Sequence, residues 1–297
     1  MSLTEQDQLD NLVTFARLMV DTGDLEPWAE MIKQVQTMGA VNDEEAFWLV
    51  KCYNAYDSFH SAWGVFRKWN SPYVWARAND RDDAKQFECT QERRGLRGGR
   101  VLKHFDSYVE HLAGQSQRDW VTSGITGLDP ERDFGNLTSW FRCVWGVGRQ
   151  TAFEWAEFSG KATGVPVTAA DAQLWESEGP RRALQKLYGN PSPTPQWLDD
   201  RATETRDYLI SQGVTLPWED FETVICDFNV MRHGRYYVGR HLAALREEID
   251  LSPIEDRDLL LEAFRAIIPE PWSDIAPGID QLKKPIYRDT GKIIDTP

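Results

Sequence analysis

The stretch 145-WGVGRQTAFEWAEF-158 decides how the middle of this chain folds. Its apolar residues follow the period of a helix from Thr151 onward, and a Gly-x-Gly pair stands just before that helix. A tight turn that opens a helix leaves backbone N–H groups without intrahelical partners, and these groups and the helix dipole attract anions. Glycine also lets an anion approach the backbone closely. The stretch therefore predicts a phosphate site, which is unexpected in a chain with a formal net charge of −14.

The composition is that of a folded protein. The 297 residues are 41% hydrophobic and include 13 tryptophans, enough for a sizeable core and unlike a disordered chain. No run approaches the ~20 apolar residues of a membrane span, and the first residues lack the basic and apolar regions of a secretion signal. We therefore expect a cytoplasmic protein. The four cysteines lie far apart, so a zinc or iron–sulfur centre is not expected.

Hydrophobic periodicity predicts a mainly α, multi-helical fold over residues 1–268. The strongest pattern runs as one helix from Asn42 to Trp69, and a second predicted helix, Leu137–Trp145, leads into the glycine pair. We expect either one large body or two helical lobes with a cleft between them. Residues 269–297 contain five prolines and no periodicity, which predicts an extended C-terminal arm.

The glycine pair and its flanking helices resemble the helix-hairpin-helix of the HhH-GPD superfamily of DNA glycosylases. In that superfamily the backbone of a Gly-Val-Gly-x-x-Thr-Ala-like hairpin holds a DNA phosphate. Lyase-active members carry a lysine two residues after the second glycine, where this chain has Gln150, so lyase chemistry is not expected. The resemblance implies a glycosylase-like scaffold with a DNA phosphate held by Gly146, Gly148, Arg149 and Thr151.

Asp171 stands where the same resemblance places a catalytic aspartate. Three residues separate it from Val167, whereas the superfamily's loop often reads Pro/Ala-Val-Asp. A second interpretation of Asp171 is structural, because aspartate is a preferred N-cap and a helix could begin at Ala172. Both interpretations stay open at the level of the sequence.

The segment 92-ERRGLRGGRVLKHFDSY-108 concentrates cations among glycines. Arginine binds phosphate oxygens through two parallel hydrogen bonds, and neighbouring glycines let backbone amides reach the same anion. The other interpretation is a solvated basic loop that balances the acids at 80–83. The combination of arginine with glycine favours an anion site, whose cations would be Arg93, Arg94, Arg97, Arg100 and Lys103.

The run 226-CDFNVMRHGRYYVGRHL-242 interleaves basic and aromatic residues. Such a pattern suits a nucleic-acid strand, with phosphates on the cations and bases on the rings. The alternative is a buried helix pair whose arginines pair with acids such as Glu247 and Glu248. The pattern favours DNA contact by Arg232, His233, Arg235, Tyr236 and Arg240. On this interpretation the cations are gathered into a site while the rest of the acidic surface repels DNA.

Together these segments resemble the bacteriophage amino acid:DNA transferases, relatives of the α-glutamyl/putrescinyl-thymine pyrophosphorylases. The resemblance covers about residues 46–245 and rests on Glu-Arg-Arg-Gly-x-Arg-Gly-Gly, Gly-Val-Gly-Arg-x-Thr-Ala, residues 179–189 and the Asn-x-Met-Arg-His-Gly-Arg-Tyr-Tyr run. It implies DNA carrying 5-(pyrophosphoryloxymethyl)uracil, attack by the amine of an amino acid (glycine is our expectation), release of pyrophosphate, and an infected bacterial host.

The residues suit that reaction chemically. Pyrophosphate needs dense positive charge where its own charge develops, which we assign to Arg93, Arg94 and Arg97. The amine must lose a proton, and Asp171 or Glu92 is the expected acceptor. Flipping the nucleotide into a pocket would present its reactive carbon. The sequence contains no metal motif, and assistance by a divalent cation stays open.

Two other functions fit part of the sequence. A glycosylase that excises a modified base would use the hairpin and Asp171, but base excision gives no task to an arginine cluster. A non-enzymatic acidic protein, one that binds DNA or imitates it, would explain the net charge of −14. It would leave the glycine and arginine motifs without a function.

Overall fold

The computed structural model describes residues 4–232 and 238–269, and across these ranges the chain is helical with no strand. The mainly α class is therefore confirmed. Short 3-10 turns occupy Arg81–Gln86, Arg94–Leu96, Leu174–Glu176 and Ile254–Asp256. The α-helices of the described residues are α1 (Glu5–Thr22), α2 (Pro27–Thr37), α3 (Asp43–Tyr56), α4 (Phe59–Lys68), α5 (Pro72–Arg77), α6 (Gly99–Leu112), α7 (Gln117–Thr122), α8 (Pro130–Phe141), α9 (Arg149–Thr163), α10 (Glu178–Leu187), α11 (Pro195–Ser211), α12 (Trp218–Arg232), α13 (Arg240–Leu251) and α14 (Arg257–Ile267).

The described chain divides into two compact units. The first contains residues 4–27, the described part of 170–244, and 268–269. Its core lies among α1, α10, α11 and α12. Leu12, Phe15 and Met19 follow a helical spacing of three and four, so α1 buries one continuous face. Thr4 begins α1 with a capping box that satisfies exposed backbone N–H groups.

The second unit contains residues 28–169 and 245–267 and has an aromatic core. Its central helix, α3, is buried from Ala46 to Tyr56 and packs against α4 and α9. The Phe141 and Trp155 rings stack with their centroids 4.0 Å apart, which joins α8 to α9. Each large side chain buried in this way contributes about 1.5–3 kcal/mol. The aromatic core thus fixes the helices that carry the candidate site.

The single helix predicted from Asn42 to Trp69 is wrong, because the chain breaks between α3 and α4. Asp57 ends α3 in the left-handed region, with φ of 54°, and Ser58 then caps α4 by accepting from the Ser61 N–H at 3.4 Å. Aspartate is among the few residues other than glycine that enter this region readily. The hydrophobic spacing continues across the break, so periodicity alone did not reveal it.

The helix before the glycine pair also differs from the prediction of Leu137–Trp145. It begins at Pro130, where Asp129 caps it by accepting from the Arg132 N–H at 3.1 Å, and it ends at Phe141. Proline at the first helical position and aspartate before it are strong start signals. The predicted C-terminal arm lies outside the described residues. Across the described ranges, no helix combines the length and the apolar character that crossing a membrane requires.

Candidate active site

Residues 142–148, here called the glycine turn, connect α8 to α9. Gly146 has a φ of +84°, and a Cβ built on it would lie 2.8 Å from Leu96 Cδ2. Gly148 is different: its φ is −87°, and a Cβ there would meet nothing within 4 Å. Gly148 is also the N-cap of α9 and has no side chain with which to cap the first N–H groups. The start of α9 therefore presents backbone donors on an open surface.

One face of α6 fastens the glycine turn. His104 contacts the Trp145 carbonyl through Nδ1 at 2.7 Å, and Ser107 Oγ accepts from the Trp145 N–H at 2.9 Å. His111 Nε2 lies 2.9 Å from the Cys143 carbonyl. The three side chains are spaced three and four residues apart, so they lie on one side of the helix. The turn is consequently held in one conformation by side chains from outside it.

The arginine segment (residues 92–103) meets the glycine turn around one cavity of about 300 Å³. Sequence reasoning proposed each segment separately as an anion site, and the structure brings them together. Arg94 and Arg97 are exposed in the same segment but are not among the residues that line the cavity, and Arg97 Nη2 donates to the Cys89 carbonyl at 3.2 Å. The residues that line it are Glu92, Arg93, Gly95, Leu96, Arg100, Trp145, Gly146 and Thr151.

Arg93 differs from its neighbours because it is buried, with 3% of its surface exposed. Its Nε donates to the Asn54 carbonyl at 2.7 Å, and its guanidinium forms an ion pair with Glu154. Burial lowers the pKa of Arg93, but Glu154 and Asp57 more than offset this, so the pKa stands above its ordinary value. Arg93 therefore has an internal role in addition to the predicted contact with pyrophosphate, which stays a prediction.

A buried lysine lies behind the cavity. Because His104 Nδ1 faces a carbonyl, it carries the ring proton, and Nε2 accepts a hydrogen bond from Lys51 Nζ. Lys51 Nζ also lies 4.0 Å from the centroid of the Trp155 ring. Burial lowers the pKa of Lys51 well below its ordinary value, and burial together with the Lys51 charge lowers the pKa of His104. Burial thus disfavours the charged form of both groups.

Asp171 belongs to the first unit. Its side chain is exposed, and Oδ1 accepts from the Gln173 N–H at 2.9 Å. The α-helix that it was expected to cap at Ala172 is replaced by the 3-10 turn Leu174–Glu176, preceded by Gln173 in the left-handed region. The carboxylate therefore closes a local turn and keeps its exposure. Its catalytic role stays a prediction.

The third basic run is described only in part. Arg232 ends α12, partly exposed, with its guanidinium carbon 6.0 Å from the Phe228 ring centroid. Arg240 begins α13 and is exposed. The other predicted DNA contacts, His233, Arg235 and Tyr236, lie outside the described residues.

Sequence reasoning did not single out Lys51, Asn54, Asp57, His104 or Glu154. The first three lie in a strongly apolar helix pattern. A polar residue in such a pattern is recognised as functional only once its buried partner is known. A usable signal was the spacing of His104, Ser107 and His111, which marks a polar stripe on α6. Within residues 4–232 and 238–269, no group of three or more His, Cys, Asp or Glu side chains is placed to hold a metal ion.

Comparison with known proteins places these features in a family context. A family model described as amino acid:DNA transferase matches residues 20–237. The match includes the arginine segment, the glycine turn and Asp171. A comparison with curated proteins finds no match.

Proposed function

This chain belongs to the amino acid:DNA transferase family, and we propose that it attaches an amino acid to 5-(pyrophosphoryloxymethyl)uracil in DNA. The family indicates a transferase that acts on DNA with an amino acid as the second substrate. In the proposed reaction the amine nitrogen forms a bond to the exocyclic methylene carbon. The bond from that carbon to oxygen breaks, and pyrophosphate leaves with the electron pair. The amine loses one proton to a base.

The observation that carries the proposal is that the two segments predicted to bind anions line one cavity. A modified nucleotide in DNA presents a backbone phosphate and a pyrophosphate leaving group a short distance apart. The backbone N–H groups at the start of α9, whose N-cap is a glycine, suit the backbone phosphate together with Arg149 and Thr151. Arg94, Arg97 and Arg100 suit the pyrophosphate, where charge develops as the bond breaks.

The family match supports amino acid and DNA as substrates, and the proposal extends it to the modified base. The reactive carbon projects from the edge of the base, so we propose that the nucleotide flips out of the duplex before reaction. A glycosylase-like arrangement of helices around the glycine turn would support such flipping. Glycine is the proposed nucleophile, in an infected bacterial host.

An oligonucleotide containing 5-(pyrophosphoryloxymethyl)uracil tests the proposal when it is incubated with pooled amino acids and digested to nucleosides for mass spectrometry. The expected product has the mass of thymidine plus one amino acid less two hydrogens. A missing base would instead favour the glycosylase. If the protein binds the oligonucleotide but leaves the modified base unchanged, the transfer reaction is contradicted. If the protein does not bind DNA, the DNA mimic is favoured.

A further inference from the structure

Asp57 and Glu154 form a carboxyl pair within the second unit. Their side chains are hydrogen-bonded to each other. The pair follows from the alignment of α3 with α9. Asn54 Nδ2 donates to the Thr151 carbonyl at 2.9 Å. Three residues after each of these two, Asp57, which ends α3, meets Glu154 of α9. Because residues three apart share a helix face, both contacts lie along the same seam.

The surroundings fix both members of the carboxyl pair. Thr90 Oγ1 donates to Asp57 Oδ2 at 2.5 Å, and the Arg93 guanidinium forms an ion pair with Glu154. Two carboxylates in contact repel each other, which disfavours the ionised form of Asp57. Burial and then the Glu154 charge raise the pKa of Asp57 well above its ordinary value. The other titratable groups near the pair or its arginine include Cys89, Tyr53, Lys51 and His104.

Arg93 connects the carboxyl pair to the cavity described above, whose lining includes neither Asp57 nor Glu154. Arg93 lines that cavity and is bound directly to Glu154. Thr151, which also lines it, lies one helical turn before Glu154 on α9, and Glu154 keeps 22% of its side chain exposed. By contrast, the sequence-predicted acceptors Glu92 and Asp171 are exposed carboxylates without a carboxyl partner among the hydrogen bonds of the described residues. A carboxylate whose pKa is raised by burial and by a neighbouring carboxylate is a stronger base than an exposed carboxylate, as a transfer of this kind requires.

We propose that Asp57 and Glu154 together accept the proton that the amine loses during transfer, while Arg93 positions them. This inference rests on the proposed function. The nitrogen lone pair forms the bond to the methylene carbon, pyrophosphate leaves with the electrons of the broken C–O bond, and the N–H proton passes to the carboxyl pair. The pair then holds one proton more than before the transfer, and it returns that proton to water.

Two variants and two nucleophiles test the inference with the full chain and the modified oligonucleotide. Glu154→Gln and Asp57→Asn each remove one carboxyl group. Asp57→Asn leaves the Arg93–Glu154 ion pair in place, so this variant still tests the inference if Glu154→Gln fails to fold. Asp106→Asn is the matched control, because Asp106 is also paired with an arginine, Arg81, at 2.8 Å. The amine of glycine is protonated at neutral pH and needs a base before it can attack, whereas the amine of methoxyamine is already unprotonated.

We expect both variants to lower the rate of transfer to glycine by about 100-fold or more, and the rate of transfer to methoxyamine by less than about tenfold. Both variants should also shift the pH profile of glycine transfer. Asp106→Asn should match the wild type. Equal losses with the two nucleophiles, or unchanged glycine transfer, would overturn the inference and leave the proposed function intact. A folded, DNA-bound wild type that transfers neither nucleophile would overturn the proposed function and this inference with it.

Discussion

Gly146 and Gly148 lie two residues apart, but the turn needs glycine at the two positions for different reasons. Gly146→Ala places a side chain at a positive φ and against Leu96. We expect it to lower the free energy of unfolding by about 1–3 kcal/mol. Gly148→Ala meets neither a positive φ nor a neighbouring atom, so its free energy of unfolding should stay within about 0.5 kcal/mol of the wild type. Its added methyl group should weaken DNA binding, because it lies where a DNA phosphate would approach. Urea unfolding and DNA binding measure the two effects.

The two glycine variants serve as controls for each other. A Gly148→Ala protein that is stable and binds DNA as tightly as the wild type would remove the start of α9 from the DNA contact. A Gly146→Ala protein as stable as the wild type would show that the turn relaxes without strain.

Lys51 gives the stability of the protein a specific dependence on pH. The pKa of native Lys51 lies well below the 10.5 of an unfolded chain, so between the two values the unfolded chain binds more protons. The free energy of unfolding then rises with pH, by up to about 1.4 kcal/mol per pH unit from this one group. We expect Lys51→Met to show a smaller rise than the wild type in urea unfolding at about pH 6.5 and about pH 8.5.

The comparison between the two proteins measures Lys51 together with its effect on the pKa of His104, because the carboxyl groups are present in both. Equal slopes in the wild type and in Lys51→Met would mean that Lys51 titrates alike in the folded and unfolded chains. The buried lysine would then carry no linkage to folding in this range.

At the scale of elements, the arginine segment should serve catalysis with little effect on stability. Arg94 and Arg100 are exposed, so Arg94→Gln and Arg100→Gln should unfold like the wild type. Each should lower kcat/KM for transfer by about tenfold or more, because fewer charge-assisted hydrogen bonds stabilise the leaving pyrophosphate. Steady-state kinetics on the modified oligonucleotide measures the loss.

Arg118→Gln provides the matched control for the arginine segment. Arg118 belongs to the same unit, is half-exposed and pairs with Asp43 at 3.0 Å. We expect the control to keep wild-type kinetics. If a combined substitution of Arg94 and Arg100 left turnover unchanged, the assignment of this segment to pyrophosphate would be wrong.

Sequence patterns predicted elements better than they predicted the contacts between them. Helix α9 follows the glycine pair as its periodicity predicted, from Arg149 to Thr163, because a buried face leaves a regular apolar spacing. The break at Asp57 was missed, since the apolar spacing runs through it. The carboxyl pair was missed for a related reason: it depends on how α3 and α9 align, and such long-range pairing leaves no local pattern. The arginine segment and the glycine turn were predicted because each concentrates unusual residues in one short stretch.

At the scale of the whole molecule, the net charge of −14 and a DNA substrate are compatible. The arginine segment gathers cations beside the cavity, while acids elsewhere oppose indiscriminate binding to the DNA backbone. The binding of DNA should therefore depend on the modified nucleotide more than on the general polyanion. On this account, the cavity formed by the arginine segment and the glycine turn is where the reaction takes place.

The most direct test of this account follows pyrophosphate and the modified nucleoside in one reaction of the wild-type protein. Transfer by displacement predicts that pyrophosphate and the amino acid adduct appear in equimolar amounts, and that neither forms when the amino acid is left out. Pyrophosphate released without an amino acid, or an abasic site in place of the adduct, would contradict the transfer reaction.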